Sequence, residues 1–143
     1  MTIRQLSIFL ENKSGRLADI TRILRENEVD IRALCIADTT DYGILRMIVN
    51  QPDRAVAALK AAGSTVSLTE VVGVVISDRP GGLDAVMQVL GQNGIDTEYM
   101  YAFLNPTKEA AVVILRVTDT AAVAALLCKN DFQLLSDADI SAM

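Results

Sequence analysis

The chain of 143 residues is 51% hydrophobic with a net charge of −5, long enough for one domain or two small ones and too apolar for extended disorder. It contains no His and no Trp, which removes the commonest general base, the Ser-His and Cys-His nucleophiles and nearly every zinc site. Residues 1–72 carry nine basic and nine acidic side chains, residues 73–143 four and nine, so the acidic excess lies wholly in the second half and argues against a nucleic-acid partner.

In chain order, Arg4–Asn12 reads as a strand, with Leu6, Ile8 and Leu10 alternating against Gln5 and Ser7. The turn Lys13-Ser14-Gly15 leads to a helix from Arg16 to Asn27, then a strand over Val29–Ala37. Asp38-Thr39-Thr40-Asp41 is a turn cluster and Tyr42–Val49 a third strand. Pro52-Asp53 opens an Ala-rich helix that Gly63 stops, and Thr65–Thr69 is a fourth strand. The second half runs the same way: a strand at Val71–Ser77, a turn at Asp78–Gly82, and a helix to Asn93 with Leu83, Val86, Met87 and Leu90 on one face. Strands over Ile95–Phe103 and Ala111–Thr118, a helix over Thr120–Lys129 and a strand over Phe132–Leu135 complete it. Tyr99, Met100 and Tyr101 alternate faces of their strand, so one face is expected to be core or contact surface rather than a stacking platform.

No run of eighteen apolar residues is present, and the start MTIRQLSIFLENK lacks a signal peptide's charged region and cleavage site; the expectation is a soluble, cytoplasmic protein without a membrane partner. Cys35 and Cys128 fall at unrelated places, so they are expected to be ordinary thiols, with neither a disulfide nor a metal site.

The order is an internal repeat. Phe9–Ile36 lies over Val75–Ala102 without a gap, matching Gly15 with Gly81, Leu17 with Leu83, Leu24 with Leu90, Asn27 with Asn93 and Asp30 with Asp96. Each half is therefore β-α-β-β-α-β, the ferredoxin-like order. The fold class expected is α+β: two such modules, 1–70 and 71–143, each an antiparallel sheet with its helices on one face. No Gly/Ser/Pro linker separates them and Thr65–Ser77 is nearly continuous strand, so they are expected to pack side by side as one rigid body.

A glycine turn entering a helix exposes unpaired N–H groups at the helix's positive end, so the duplicated object suits a small anion or zwitterion. An RNA-recognition module would need exposed aromatics and a basic face. Acylphosphatase-type enzymes use the same loop with a different Gly-rich stretch, and metal carriers place a Cys-x-x-Cys there. None of these patterns is present.

Asp78-Arg79-Pro80-Gly81-Gly82-Leu83, followed by Gly94-Ile95-Asp96, resembles the signature of the ACT domain, the amino-acid-sensing module of metabolic enzymes. Asn12-Lys13-Ser14-Gly15-Arg16-Leu17, followed by Glu28-Val29-Asp30, resembles it too, with Ser14 in place of the usual Pro and Glu28 in place of the usual Gly. The likeness covers essentially the whole chain, and LSIFLENKSGRL through IADTTDYGILR is similar to a subfamily of stand-alone tandem ACT proteins.

The resemblance implies a non-catalytic regulatory protein that binds a small amino acid, needs no cofactor, forms a homodimer and reports to a metabolic enzyme. The alternative is a constitutive subunit, of the acetolactate-synthase small-subunit kind, whose modules mainly assemble; an acylphosphatase-type enzyme is a distant third. It also implies a ligand where the first loop meets a neighbouring module, held by Asn12, Gly15 and Asp30, or by Asp78, Gly81 and Asp96 in the second copy. Lys13, Ser14, Arg16, Leu17, Pro80, Gly82 and Leu83 complete the two candidate loops. Plainer roles stand beside these: turn glycines at 15 and 81, helix caps at Asn12 and Asp78, loop residues at Asp30 and Asp96, and solvated charges at Lys13, Arg16 and Arg79. Neutral Asn12 with Lys13 and Arg16 should draw a carboxylate more strongly than Asp78 and Asp84 with Arg79.

Overall fold

In the computed structural model, which describes residues 1–11, 13–38, 41–105 and 109–143, the alternating stretch at the start becomes β1 (Ile3–Glu11) and the helical pattern after it α1 (Arg16–Glu26). There follow β2 (Ile31–Asp38), β3 (Tyr42–Val49), α2 (Pro52–Ala61) and β4 (Val66–Ser77). The second half adds α3 (Gly82–Gln92), β5 (Tyr99–Asn105), β6 (Ala110–Arg116), α4 (Thr120–Lys129), β7 (Gln133–Leu135) and α5 (Asp137–Ala142). The fold is α+β, with the ferredoxin-like order given twice.

The chain divides into two compact units. The first comprises Arg4–Thr69 with Asp139–Met143, the second Glu70–Ala138 with Met1–Ile3. In the first unit the sheet order is β2-β3-β1 followed by the opening residues of β4; β3 pairs antiparallel with both neighbours, Leu6 opposite Met47 and Ile36 opposite Leu45. In the second unit β7, the rest of β4, β6 and β5 lie in that order, all antiparallel, with Val72 opposite Leu115 and Met100 also opposite Leu115.

Each unit buries the sheet face that its helices cover. Leu6, Ile8, Leu45 and Met47 meet Ile20 and Leu24 of α1 and Ala55 and Leu59 of α2. In the second unit Val72, Val74, Val113 and Leu115 meet Val86 and Leu90 of α3 and Val123 and Leu127 of α4. Leu6 and Val72, like Leu24 and Leu90, are 66 positions apart, whereas Met47 and Leu115, like Leu59 and Leu127, are 68 apart. The ungapped repeat therefore holds through the first helix and slips by two residues before the third strand. Burying each large aliphatic side chain contributes roughly 1.5–3 kcal/mol, so the repeated core alone explains why both halves adopt one fold.

The helix ends are equally repetitive. After α1, Glu28 N–H donates to Arg25 C=O and Val29 N–H to Leu24 C=O, at 3.1 and 2.9 Å, with Glu28 left-handed at φ 57°. Gly63, Gly94 and Asp131 play the same part after α2, α3 and α4, at φ 86°, 65° and 65°. Ser64, Ile95 and Phe132 N–H reach back to Leu59, Leu90 and Leu127 C=O, each at 3.0 Å. This is the Schellman stop, in which a left-handed residue lets two amides satisfy the last carbonyls of a helix. It occupies residues assigned above to strands: β2 opens at Ile31 rather than Val29, and β5 at Tyr99 rather than Ile95.

The short helix α5 is absent from the sequence reading, which kept each terminus with its own repeat. Ile140 on α5 is 1% exposed and Ser141 Oγ donates to Asn50 C=O at 3.0 Å, so the end of the chain belongs to the first unit. Replacing Ile140 with Ala should cost roughly 2–5 kcal/mol, seen as a lower urea midpoint; an unchanged midpoint would show that α5 does not stabilise the fold. Glu28 carries the strain of a left-handed backbone, about 1 kcal/mol or more for a residue with a Cβ. Glu28→Gly should therefore raise stability by roughly 0.5–1 kcal/mol and Gly94→Ala lower it by a similar amount, both read from the same denaturation curves.

Candidate functional site

Two turns join a first strand to a first helix, and both are built on a left-handed glycine. Gly15 stands at the N-cap of α1 with φ 86°, Gly81 at the N-cap of α3 with φ 92°. Neither offers a side chain to cap the helix, in contrast to α4, where Asp119 accepts from Ala122 N–H at 3.0 Å. Arg16 N–H donates to Lys13 C=O at 3.4 Å and Gly82 N–H to Arg79 C=O at 3.0 Å, and the amides that follow them stand at the positive end of the helix dipole. A Cβ built on Gly15 or Gly81 meets nothing within 4 Å. At these two positions a side chain would have room, and the backbone angle alone demands glycine.

In the first turn Lys13, Ser14, Gly15, Arg16 and Leu17 are all exposed. Asn12 lies outside the described residues. Lys13 Nζ and Arg16 Nη2 stand 3.1 and 3.3 Å from the same oxygen of Glu11. These hydrogen bonds and charges, Lys13 foremost and Arg16 next, hold the Glu11 carboxyl below the usual range. Glu11 is the residue that sequence reasoning missed. Its signal was an acidic side chain two residues before one cation and five before another, with Ser77 at its place in the second copy.

Cavities lie on either side of the Glu11–Arg16 pair. One, of about 220 Å³, is lined by Lys13, Gly15, Leu17, Ile36 and Gly43. The other, of about 240 Å³, runs between α1 and the turn from α2 to β4, lined by Asp19, Ile23, Gly63 and Ser64. Both are also lined by Leu10, Glu11 and Arg16. Either exceeds the roughly 150 Å³ that encloses a benzene molecule.

The second turn is closed. A Cβ on Gly82 would strike the carbonyl of Ser77, so the start of α3 rests directly on the end of β4. Arg79 is paired with Glu109 at 3.0 Å, and Asp78 N–H donates to the Glu109 carbonyl at 3.2 Å. Pro80, Gly81 and Leu83 complete a turn whose charged neighbours among the described residues are Asp78, Asp84 and Glu109 against Arg79. The charge balance of the first turn is likewise less positive than Lys13 and Arg16 alone imply, because Glu11 and, in the first turn of α1, Asp19 offset them. The order of the two turns stays the same.

Asp30 and Asp96 do not join these turns. The eleven residues of α1 span about 16 Å, with Gly15 at one end and Asp30 beyond the other. Asp30 is bound to the end of β3: its N–H donates to Asn50 Oδ1 at 2.9 Å, and its carboxylate pairs with Arg32 at 2.7 Å. It lines a separate cavity with Arg25 and Glu28. Asp96 sits in the loop between the stop of α3 and β5, exposed and likewise a helix length away from Gly81. Among the described residues no three His, Cys, Asp or Glu side chains gather as a metal site, and no helix is long and apolar enough to cross a membrane.

The comparisons with known proteins bear on the family and the fold. The family profile described as ACT domain pair matches residues 1–143. A protein of Bacteroides thetaiotaomicron known from its crystal structure is 40% identical, with a TM-score of 0.93 over 100% of this chain and 98% of that one. The ligand-free regulatory subunit of aspartate kinase from Thermus thermophilus superposes with a TM-score of 0.62 at 16% identity, over 88% of this chain and 91% of its own. The corresponding Thermus flavus subunit gives 0.58 at 15%, over 88% and 90%; at such identities the likeness is one of fold. No curated protein matches the chain. With two βαββαβ units, two left-handed glycine turns and a family match that runs from the first residue to the last, the chain belongs to the ACT domain pair family.

Proposed function

We propose that this protein is a non-catalytic regulatory sensor whose first unit binds a small α-amino acid at the turn Lys13–Leu17. One observation carries the reading. The turn combines uncapped helix amides, a left-handed glycine with open space before it, and two cations beside a cavity of about 220 Å³. Loop amides and Lys13 or Arg16 take the ligand carboxylate, and Asn12, at the mouth of the same turn in the sequence, is a further contact. The second turn, closed at Gly82 and acidic around Asp78, serves packing instead. That closed turn favours a narrower second reading in which the Asp78–Leu83 half is an assembly module, as in a constitutive regulatory subunit.

In this reading the protein works in the cytoplasm as a homodimer and reports the ligand to a metabolic enzyme. Regulatory subunits of aspartate kinase are built on the same fold, which makes an enzyme of amino-acid metabolism the partner class we favour. The acidic balance speaks against nucleic acid, and no cofactor is invoked.

Binding should couple to stability. At about a hundredfold excess over Kd one ligand adds roughly 2.7 kcal/mol, which in a chain of this size raises Tm by roughly 5–10 °C. A thermal-shift screen of the twenty amino acids, one at a time at millimolar concentration, should find at least one such response. A flat screen would leave only the assembly reading. The open space at Gly15 lets an aspartate fit at a backbone cost of about 1 kcal/mol, with its carboxylate where the ligand carboxylate belongs. Gly15→Asp should therefore fold and lose the response, while Gly81→Asp keeps it. The reverse pattern would move the site to the second turn.

A further inference from the structure

The two aligned turns differ at a pair of positions that touch in both. In the first unit these are Glu11 and Arg16, whose side chains meet at 3.3 Å across the gap between the end of β1 and the first turn of α1. In the second unit they are Ser77 and Gly82, and there the backbone itself closes the gap, since a Cβ on Gly82 would strike the Ser77 carbonyl. Charged side chains thus bridge strand end and helix start in the first unit, while in the second the backbones themselves are in contact. An exposed ion pair can part at little cost, because water replaces each partner almost fully. A backbone contact built into the turn cannot part without moving the helix.

We propose that Glu11 is the ammonium receptor of the first turn, and that a zwitterionic α-amino acid binds by displacing the Glu11–Arg16 ion pair. The ligand's ammonium donates to the Glu11 carboxylate, and its carboxylate accepts from the Arg16 guanidinium and the amides that open α1. This deepens the amino-acid reading of the turn and rests on it.

Three observations support the exchange. Glu11 and Arg16 line both adjoining cavities, of about 240 and 220 Å³, so a ligand entering either one meets both charges. Asp30, the carboxylate that the family resemblance offers as a ligand contact, lies a helix length away, paired to Arg32 at 2.7 Å. Lys13 and Arg16 keep the Glu11 carboxyl below the usual range, so the ammonium meets an anion even in mildly acidic solution. The charge count then selects the ligand class. A zwitterion replaces one ion pair by two charge-assisted contacts and leaves no charge without a partner. A simple carboxylate or an N-acylated amino acid would strip Arg16 from Glu11 and leave that carboxylate with Lys13 as its one cation. The second unit, with Ser77 in place of Glu11, has no such receptor, so each chain takes one ligand.

The test compares the full-length protein with its Glu11→Gln variant by thermal shift. The probes are an equimolar mixture of the twenty L-amino acids, each at millimolar concentration, and the matching mixture of their N-acetyl derivatives. The unaltered protein should be stabilised by the free amino acids and not by the acetylated ones. Glu11→Gln, an isosteric change at an exposed side chain, should need at least about tenfold more of the free mixture for the same shift. If the variant responds like the unaltered protein, or if the acetylated mixture stabilises the unaltered protein as well, Glu11 is not the receptor and the amino-acid site stands without it. If the unaltered protein ignores the free amino acids, the site reading falls and the receptor with it. Should the variant fail to fold, the acetylated mixture on the unaltered protein decides alone.

Discussion

A left-handed residue at each end of the first helix is the constraint on which the rest of each unit depends. Gly15 and Glu28 bracket α1, Gly81 and Gly94 bracket α3. The first turns the chain sharply off the strand and presents the helix amides; the second satisfies the last carbonyls and sends the chain back as the next strand. With both ends fixed, the helix has eleven residues in each copy. Its apolar face then lands on the same sheet positions, Ile20 and Leu24 in one unit, Val86 and Leu90 in the other. The same brackets decide which polar residues can meet. Whatever follows the stop lies about 16 Å from whatever precedes the start, and no side chain of Asp30 or Asp96 crosses that distance.

Within this common frame the two units differ where the strand hands over to the helix. Glu11 and Arg16 bridge the first handover with side chains; Ser77 and Gly82 meet through the backbone in the second. Each exchange is small, and neither touches the core, so both units remain the same fold. Charge adds to shape. Arg79 is taken up by Glu109, and Asp78 and Asp84 remain beside the second turn. An incoming carboxylate a few ångströms from such groups, at an effective dielectric near 20, meets a repulsion of a few kcal/mol before screening. In the first turn Lys13 and Arg16 balance Glu11 and Asp19, so no such net repulsion arises.

Most of the fold was legible in the sequence because it rests on local patterns. Alternation marked β1, a turn cluster announced β3, helical spacing marked α3 and, through the repeat, α1, and Pro52 with Gly63 marked the ends of α2. The errors have a common cause. Val29 and Ile95 are apolar and precede true strands, but their amides belong to helix stops, so periodicity placed the strands too early. Helix α5 is six residues long, too short for a period to show, and only the burial of Ile140 against the first unit reveals it. At the site, the glycines were legible because a turn into a helix needs them. Glu11 was not, because it falls one residue outside the motif and acts through side chains that only the folded turn brings together.

The duplicated signature therefore divides into parts with different duties. Its second half, Glu28-Val29-Asp30 or Gly94-Ile95-Asp96, is the helix stop together with the residue that ties the next strand down, as the Asp30 amide on Asn50 shows. Its first half positions the helix start through Gly15 or Gly81. Both duties are architectural, and both must be met in any copy that folds, whether or not it binds anything. A residue that matches between the copies is thus explained by the fold they share, whereas a residue that differs at an equivalent, exposed place needs another reason. Glu11 against Ser77 and Arg16 against Gly82 are such differences, adjacent in space, and opposite in consequence for the room before the helix. The motif the two halves hold in common accounts for the frame, and the residues at which they part company account for the difference between the two turns.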